Sequence, residues 1–538
     1  MLERASVEGR SFHRGAVSEL LPEGSRDGLS ACLMSLVRKE FIRPDRAVFA
    51  GDDGFGFAHI LLREAAYGAM AKELRAELHE RFAAWLAGAA EGRAAEYEEI
   101  LGYHLEQAHR YRVELGPADE AVLALARRAA ERLASAAQRV IARGDRPAQV
   151  NLLSRAVALL PAGDRLRLEL LAELGDALTE TGDYERAEAA LGEAIESGTG
   201  EDGAWIEARA RVSLCELRYS TAPGDVAERR LEVERAIEVL DSAHDELGLA
   251  RAWDLFASLH HGVGRSSAAQ AGWERSIEHA RRAGSVRDEL SGLSWLASVA
   301  LWGPTPRAEA RARCEEILGR VKGNLEEEAT VFGLLGCLGA LAGDFDEARS
   351  LQARRAAIFE ELGLELAAAW VAHTTGWVEL LADEAAAAER VLSAAYETLE
   401  RVGAWTQVQV VGSYLAHALT LQERYEEAER LALTIEGLDP MSVAEIASAR
   451  SARGKAVAAL GRRDEGERLA AEAVALVDET DFIIDRADAR MDLAEILRSA
   501  GRSEEAAGLL EEALRLHEQK GNVVSRERAA ALLGELGR

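Results

Sequence analysis

One short phrase, a turn residue followed by an acidic pair and a small residue, recurs along this chain at nearly constant spacing. Nothing else in the sequence limits the fold so strongly. It reads GDYERAEAAL at 182–191, GDFDEARSL at 343–351, ERYEEAERL at 423–431, GRRDEGERL at 461–469 and GRSEEAAGLL at 501–510. Weaker copies read GDRPAQVNLL, GDVAERRL, GRSSAAQAGW, TPRAEARA and DEAAAAERVL. Anchored on the small residue, the copies fall at Ala148, Ala187, Ala227, Ala268, Ala308, Ala348, Ala388, Ala428, Gly466 and Ala506. The intervals are 39, 40, 41, 40, 40, 40, 40, 38 and 40 over 358 residues. Such a period marks an array in which each unit covers the apolar face of the next.

Leu174-Gly175 precedes Ala187 and Leu335-Gly336 precedes Ala348, with Gly454 before Gly466 and Gly376 before Ala388. These units resemble the tetratricopeptide repeat, a helix-turn-helix with a Leu-Gly pair twelve to thirteen residues before the small residue. The small residues are expected where the two helices of a hairpin cross, and Leu191, Leu392 and Leu510 are expected to fill the space between hairpins. Pro440 falls where the repeat's terminating proline belongs. The resemblance implies an all-α fold: a right-handed superhelical solenoid of about ten 40-residue hairpins around a concave groove, closed by a capping helix at 522–538. The period is the departure, since the family repeat usually runs about 34 residues. The units at Ala227 and Ala268 lack the Leu-Gly pair, and WGPTP (302–306) stands where the fifth turn belongs, so the register is least fixed there. Nine prolines and 5% aromatics suit a chain helical almost throughout.

The net charge of −29 is uneven. Residues 1–80 carry 11 basic against 13 acidic groups, leaving −27 on the rest, a surface that repels phosphate backbones. Cys32, Cys215, Cys314 and Cys337 form no CxxC pair, so neither a zinc site nor a disulfide framework is signalled. A charged N-terminus without an apolar core, and no apolar run long enough to span a bilayer, imply a soluble, cytoplasmic protein. None of the five lysines completes a P-loop: Gly454-Lys455 is followed by Ala456 and lacks the first glycine. No HExxH, GxSxG or cyclase-type aspartate pair is present, and neither an enzyme, a cofactor nor a metal is expected.

Residues 1–70 are built differently. The helix-period stretch 28–42 leads into apolar alternation around an Asp-Asp-Gly turn, the layout of a winged helix-turn-helix. The stretches VEGRSFHRGAVSELLP, LVRKEFIRPDR, FGFAHILLREAAYGAM, LRAELHERFAAWL and ILGYHLEQAHRYRVELG resemble, in this order, the region after the nucleotidase module of bacterial signal-transduction ATPases with numerous domains. Some of those are coupled to adenylate or guanylate cyclase modules or to transcription factors. The resemblance implies a winged-helix relay domain at 1–70, connecting helices at 71–128, repeats at 129–521 and the cap. In FAHILLREAAYGAM, Phe57, His59, Arg63, Glu64 and Tyr67 match the family's joint between wing and helices, a structural corner rather than an active site.

Concave-face positions, counted back from the anchors, include Glu216, Tyr219, Trp253, His260, His261, Trp370, His373, Trp377 and His417. Aromatics there suit an amphipathic floor for a peptide or small-molecule inducer. The alternative is that most of the tryptophans pack between hairpins. The expected function is a non-enzymatic regulatory, protein-interaction module: the sensor half of a signalling ATPase, working with a protein partner or with a separate ATPase or cyclase module. A free-standing scaffold binding a partner peptide and a winged-helix DNA-binding regulator remain alternatives.

Overall fold

The computed structural model describes residues 1–49, 51–90, 92–141, 145–198, 203–221, 226–438 and 443–536. They form two compact units, Met1–Leu174 and Gly175–Arg538. Pro440 lies outside the described residues.

The first unit opens with α1 (Leu2–Glu8), β1 (Ser11–His13), α2 (Arg14–Leu20), α3 (Leu29–Arg38), β2 (Ile42–Asp45) and β3 (Gly54–Phe57). The strands form an antiparallel sheet in the order β1-β3-β2. Three features depart from the expected wing. The helix foreseen over 28–42 stops at Arg38, because Glu40 adopts φ 59° and Ile42 already pairs with Phe57. The strand β1 was not foreseen at all; it is three residues long, too short for a period to show. Asp52 does not form the tip of the wing. Its carboxylate oxygens each accept from the Gly15 amide at 3.0 Å, capping the start of α2. Phe12, Leu33, Ile42 and Phe57 make the small core. Five helices follow: α4 (Ile60–Gly68), α5 (Lys72–Ala89), α6 (Glu98–Leu115), α7 (Glu120–Ile141) and α8 (Arg146–Leu159).

The remaining hairpins are α9 (Arg165–Glu180) with α10 (Tyr184–Ser197), α11 (Ala204–Thr221) with α12 (Val226–Ser242), α13 (Glu246–Gly262) with α14 (Ser266–Ala283), and α15 (Val286–Trp302) with α16 (Arg307–Arg320). Next come α17 (Leu325–Ala342) with α18 (Phe345–Glu361), α19 (Glu365–Leu381) with α20 (Ala385–Val402), and α21 (Trp405–Leu421) with α22 (Tyr425–Glu436). Last are α23 (Val443–Ala459) with α24 (Arg463–Asp478), α25 (Ile483–Ser499) with α26 (Ser503–Lys520), and the single helix α27 (Val523–Leu536).

All ten anchors fall in the first turn of a hairpin's second helix. The small-residue rule has a visible cause. A methyl group on Gly175 would lie 2.5 Å from Leu191, and one on Gly376 would lie 2.5 Å from Leu392. These leucines therefore fill the notch inside their own hairpin, not the space between hairpins. Among the three units of loosest register, Ala227 is exposed, and in the other two the buried alanine comes later: Ala269, not Ala268, and Ala310, not Ala308.

Within the second unit, each first helix from α11 onward packs on the first helix of the next hairpin, whereas consecutive second helices splay apart. That difference curves the array and puts the odd-numbered helices inside. The coil is tight enough to meet itself. Thr406 Oγ1 donates to the Tyr219 carbonyl, Ser266 Oγ donates to Asp481 at 2.6 Å, and Lys520 Nζ donates to the carbonyls of Ala300, Gly303 and Thr305 at 2.7–3.0 Å. These partners lie 187 to 220 residues apart, about five units. The WGPTP departure is thereby explained: its carbonyls turn away from a regular hairpin to receive Lys520, which is 0% exposed.

Candidate functional site

The joint in the first unit is structural. Phe57 is core, and His59 Nδ1 caps α4 by accepting from the Leu61 amide at 3.2 Å. Arg63 Nε donates to the Ser6 carbonyl at 2.9 Å and covers the Tyr67 ring at 4.8 Å, while Glu64 is exposed. Tyr67 Oη hydrogen-bonds His79 Nε2 at 2.7 Å, and His79 Nδ1 hydrogen-bonds His104 Nδ1 at 2.8 Å. Burial, then the His104 ring, holds His79 down at about 2, and burial holds His104 at about 3, so both rings stay neutral. This buried Tyr–His–His chain was not read from the sequence, because its members lie far apart along the chain and share no period.

The nine groove positions in the second unit do not form one floor. Trp253 packs edge-on against Phe256 at 5.1 Å under Arg275, and His260 lies on Phe256 at 4.4 Å, 8% exposed. Trp377, 6% exposed, meets Trp302 at 5.3 Å in the core. These three are packing residues, which corrects their placement in the groove. His261 is wedged between Trp273 and Phe482 where the coil meets itself, and Tyr219 offers its carbonyl to the same seam. His373 hydrogen-bonds the Trp370 carbonyl at 2.6 Å and stacks on Tyr414 at 6.3 Å, forming a small half-buried aromatic patch. His417 hydrogen-bonds the Ser448 backbone beside Lys455 and Asp492. Lys455 lies within 2.9 Å of Asp492 and 2.8 Å of Glu495, so it is committed to carboxylates on α25.

Glu216 alone among the nine opens on a cavity of about 110 Å³. The cavity runs across the inner face of α9, α11, α13 and α15 and reaches α14 through Ser276, with Asp176, Glu180, Ser213, Glu216, Arg251, Asp254, Ser276, Arg287, Asp288 and Ser291 in its wall. Two arginines neutralise three of the acids. Arg251 lies 2.5 Å from Asp176 and 3.8 Å from Asp288, and Arg287 pairs with Glu180. Among the described residues, no Lys or Arg lies within ion-pairing distance of the Glu216 or Asp254 carboxylate; Asp254 accepts only from the Trp273 indole, at 3.0 Å.

The consequence is electrostatic. Burial, then Asp176 and Asp254, push Glu216 up to about 8; water reaches its carboxylate, but protein walls surround it. Burial and Asp288 push Asp254 up to about 7. Asp288 is instead held below its usual value by Arg251 and Arg287, although burial opposes them. A signal for the cavity existed in the sequence: a carboxylate returns near the repeat period at Asp176, Glu216 and Asp254. Reading the inner positions for aromatics passed over it.

No protein-family model and no curated protein matches the chain. Solved structures similar to it include a Rap protein complexed with competence and sporulation factor, at 13% identity and TM-score 0.49, covering 68% of this chain and 99% of that one. They also include a signal-transduction ATPase with numerous domains and a tetratricopeptide repeat sensor from Pyrococcus horikoshii, at 12% identity and TM-score 0.30, covering 100% of this chain and 65% of that one. A tetratricopeptide repeat protein from Parabacteroides merdae matches at 14% identity and TM-score 0.31, covering 59% of this chain and 100% of that one. The hairpin geometry itself gives the fold: an all-α solenoid of tetratricopeptide-like units.

Proposed function

We propose that the chain is a non-enzymatic regulatory module whose inner helices bind a peptide or small effector. Residues 1–70 act as the relay domain, residues 71–128 connect it to the repeats, and an ATPase or cyclase module is the catalytic partner that the relay serves. One observation carries this reading. On the inner face the Glu216 and Asp254 carboxylates open together on a cavity and, among the described residues, have no Lys or Arg within ion-pairing distance. A solenoid that only needed to fold gains nothing by crowding acids in this way, since like charges held close together repel.

Hydrogen exchange on the full chain tests it, with and without a peptide selected from an array. Slowed exchange along α11, α13, α15 and α19 is the expected result. Protection confined to α12, α14 and α16, or none with any selected peptide, overturns it.

A further inference from the structure

The cavity wall holds more than a cluster of acids. Ser213 and Ser276 are 4% and 1% exposed, both line the cavity, and neither hydroxyl has a hydrogen-bond partner among the described residues. Neither oxygen is sealed from water, so each hydroxyl keeps a hydrogen bond to offer to whatever fills the cavity. Two hydroxyls and two carboxylates without basic partners therefore open on one small space. The excess of acceptors fixes the sign of what belongs there.

Geometry narrows the class. Among the described residues no three acidic, histidine or cysteine side chains converge as a metal cage requires, so a bare divalent ion is a poor occupant. A volume of about 110 Å³ has room for a compact head group and a short stem. An ammonium group carries three N–H donors on a point charge and bonds carboxylates and hydroxyls from different directions. We propose that the cavity between α9, α11, α13 and α15 binds the primary ammonium group of an alkylamine, held by Glu216 and Asp254 and completed by Ser213 and Ser276. This rests on the effector-binding reading of the inner face and names its chemistry. A lysine side chain and a free diamine offer the same head group.

Calorimetry on the full chain, with 1,4-diaminobutane, N-acetyl-Gly-Lys-Gly-amide and n-butanol as probes, tests the assignment. One or both amines bind and butanol does not; which amine binds tells the two sources apart. Entry of the cation drives protons off Glu216 and Asp254, so binding at pH 7.5 releases protons and tightens as pH rises from 6 to 8.5. Glu216→Gln and Asp254→Asn each weaken binding by about tenfold or more, and removing a crowded charge leaves both variants folded. Equal binding of butanol, absence of binding by both amines at millimolar concentration, or unchanged affinity in both variants overturns the proposal. If a selected peptide protects the inner helices with an affinity indifferent to both substitutions, the cation site falls while the effector-binding reading stands.

Discussion

On the outer helices of the solenoid arginines bracket the carboxylates; on the inner helices Arg251 and Arg287 hold Asp176, Asp288 and Glu180, but among the described residues Glu216 and Asp254 have no basic side chain within ion-pairing distance. Outside, Arg424, Arg462 and Arg502, at the start of successive second helices, each reach a glutamate in their own first turn and another in the preceding unit: Glu427 and Glu389, Glu465 and Glu429, Glu505 and Glu467. Hydrogen bonds from Arg424 and Arg502 hold Glu427 and Glu505 below the usual carboxylate range. Inside, burial and neighbouring acids push Glu216, Asp254 and Asp485 up to between about 7 and 8. The same residue types thus serve as bracketed partners on one face and as acceptors without a basic partner on the other. Mass of charge teaches little; the presence of an arginine at the next register position decides the role.

Substitutions can break this contrast. The largest effect is expected at the inner seam, where Lys520→Ala leaves the carbonyls of Ala300, Gly303 and Thr305 without their donor. A loss of about 3 kcal/mol in urea titration is expected from unsatisfied buried acceptors plus the space vacated. Gly376→Ala sets its methyl 2.5 Å from Leu392 and is expected to cost about 2 kcal/mol through overpacking, net of the helix propensity gained.

The double change Glu216→Gln with Asp254→Asn works in the opposite direction. Both carboxyls keep their protons to higher pH in the folded chain, at about 8 and 7, than in the unfolded chain, at about 4. Between those values the folded state binds more protons, so stability falls as pH rises through the window. The neutral amides remove that slope: Tm rises by about 1–3 °C at pH 8.5, and the gain shrinks toward zero at pH 4. Outer acids carry the reverse sign, contributing above about pH 4.5 and losing that contribution as pH falls below it. The smallest effect belongs to Arg502→Ala, whose exposed pairs are expected to shift Tm by no more than about 1 °C, an effect erased by 1 M salt.

Much of the architecture was legible because repetition averages out local noise. The ten anchors fell in the second helices of ten hairpins, and the offsets of one and two residues at Ala268 and Ala308 fell in a unit without the Leu-Gly pair and in the unit whose turn reads WGPTP. The N-terminal fold was partly legible; β1 was too short to show a period, and Glu40 stopped a helix that the apolar spacing would have continued. The site was less legible. Glu216 was found from its inward position, but Asp176 and Asp254 come from neighbouring units, and their meeting depends on how sharply the array curves. Trp253 and Trp377 misled because a large aromatic side chain serves a core as readily as a groove.

The contact of the coil with itself changes what kind of object the second unit is. An ordinary repeat array is a chain of beads that frays from its ends and tolerates beads added or removed along its length. Here Ser266 is tied to Asp481, and Lys520 to Ala300, so the beads are stitched into a ring-like circuit. Deleting one hairpin between α16 and α21 moves every stitch out of phase, and the C-terminal hairpins cannot peel away without releasing Lys520 first. Such a circuit should melt as one body, and the number of units between its stitches is as fixed as the number of teeth on a gear.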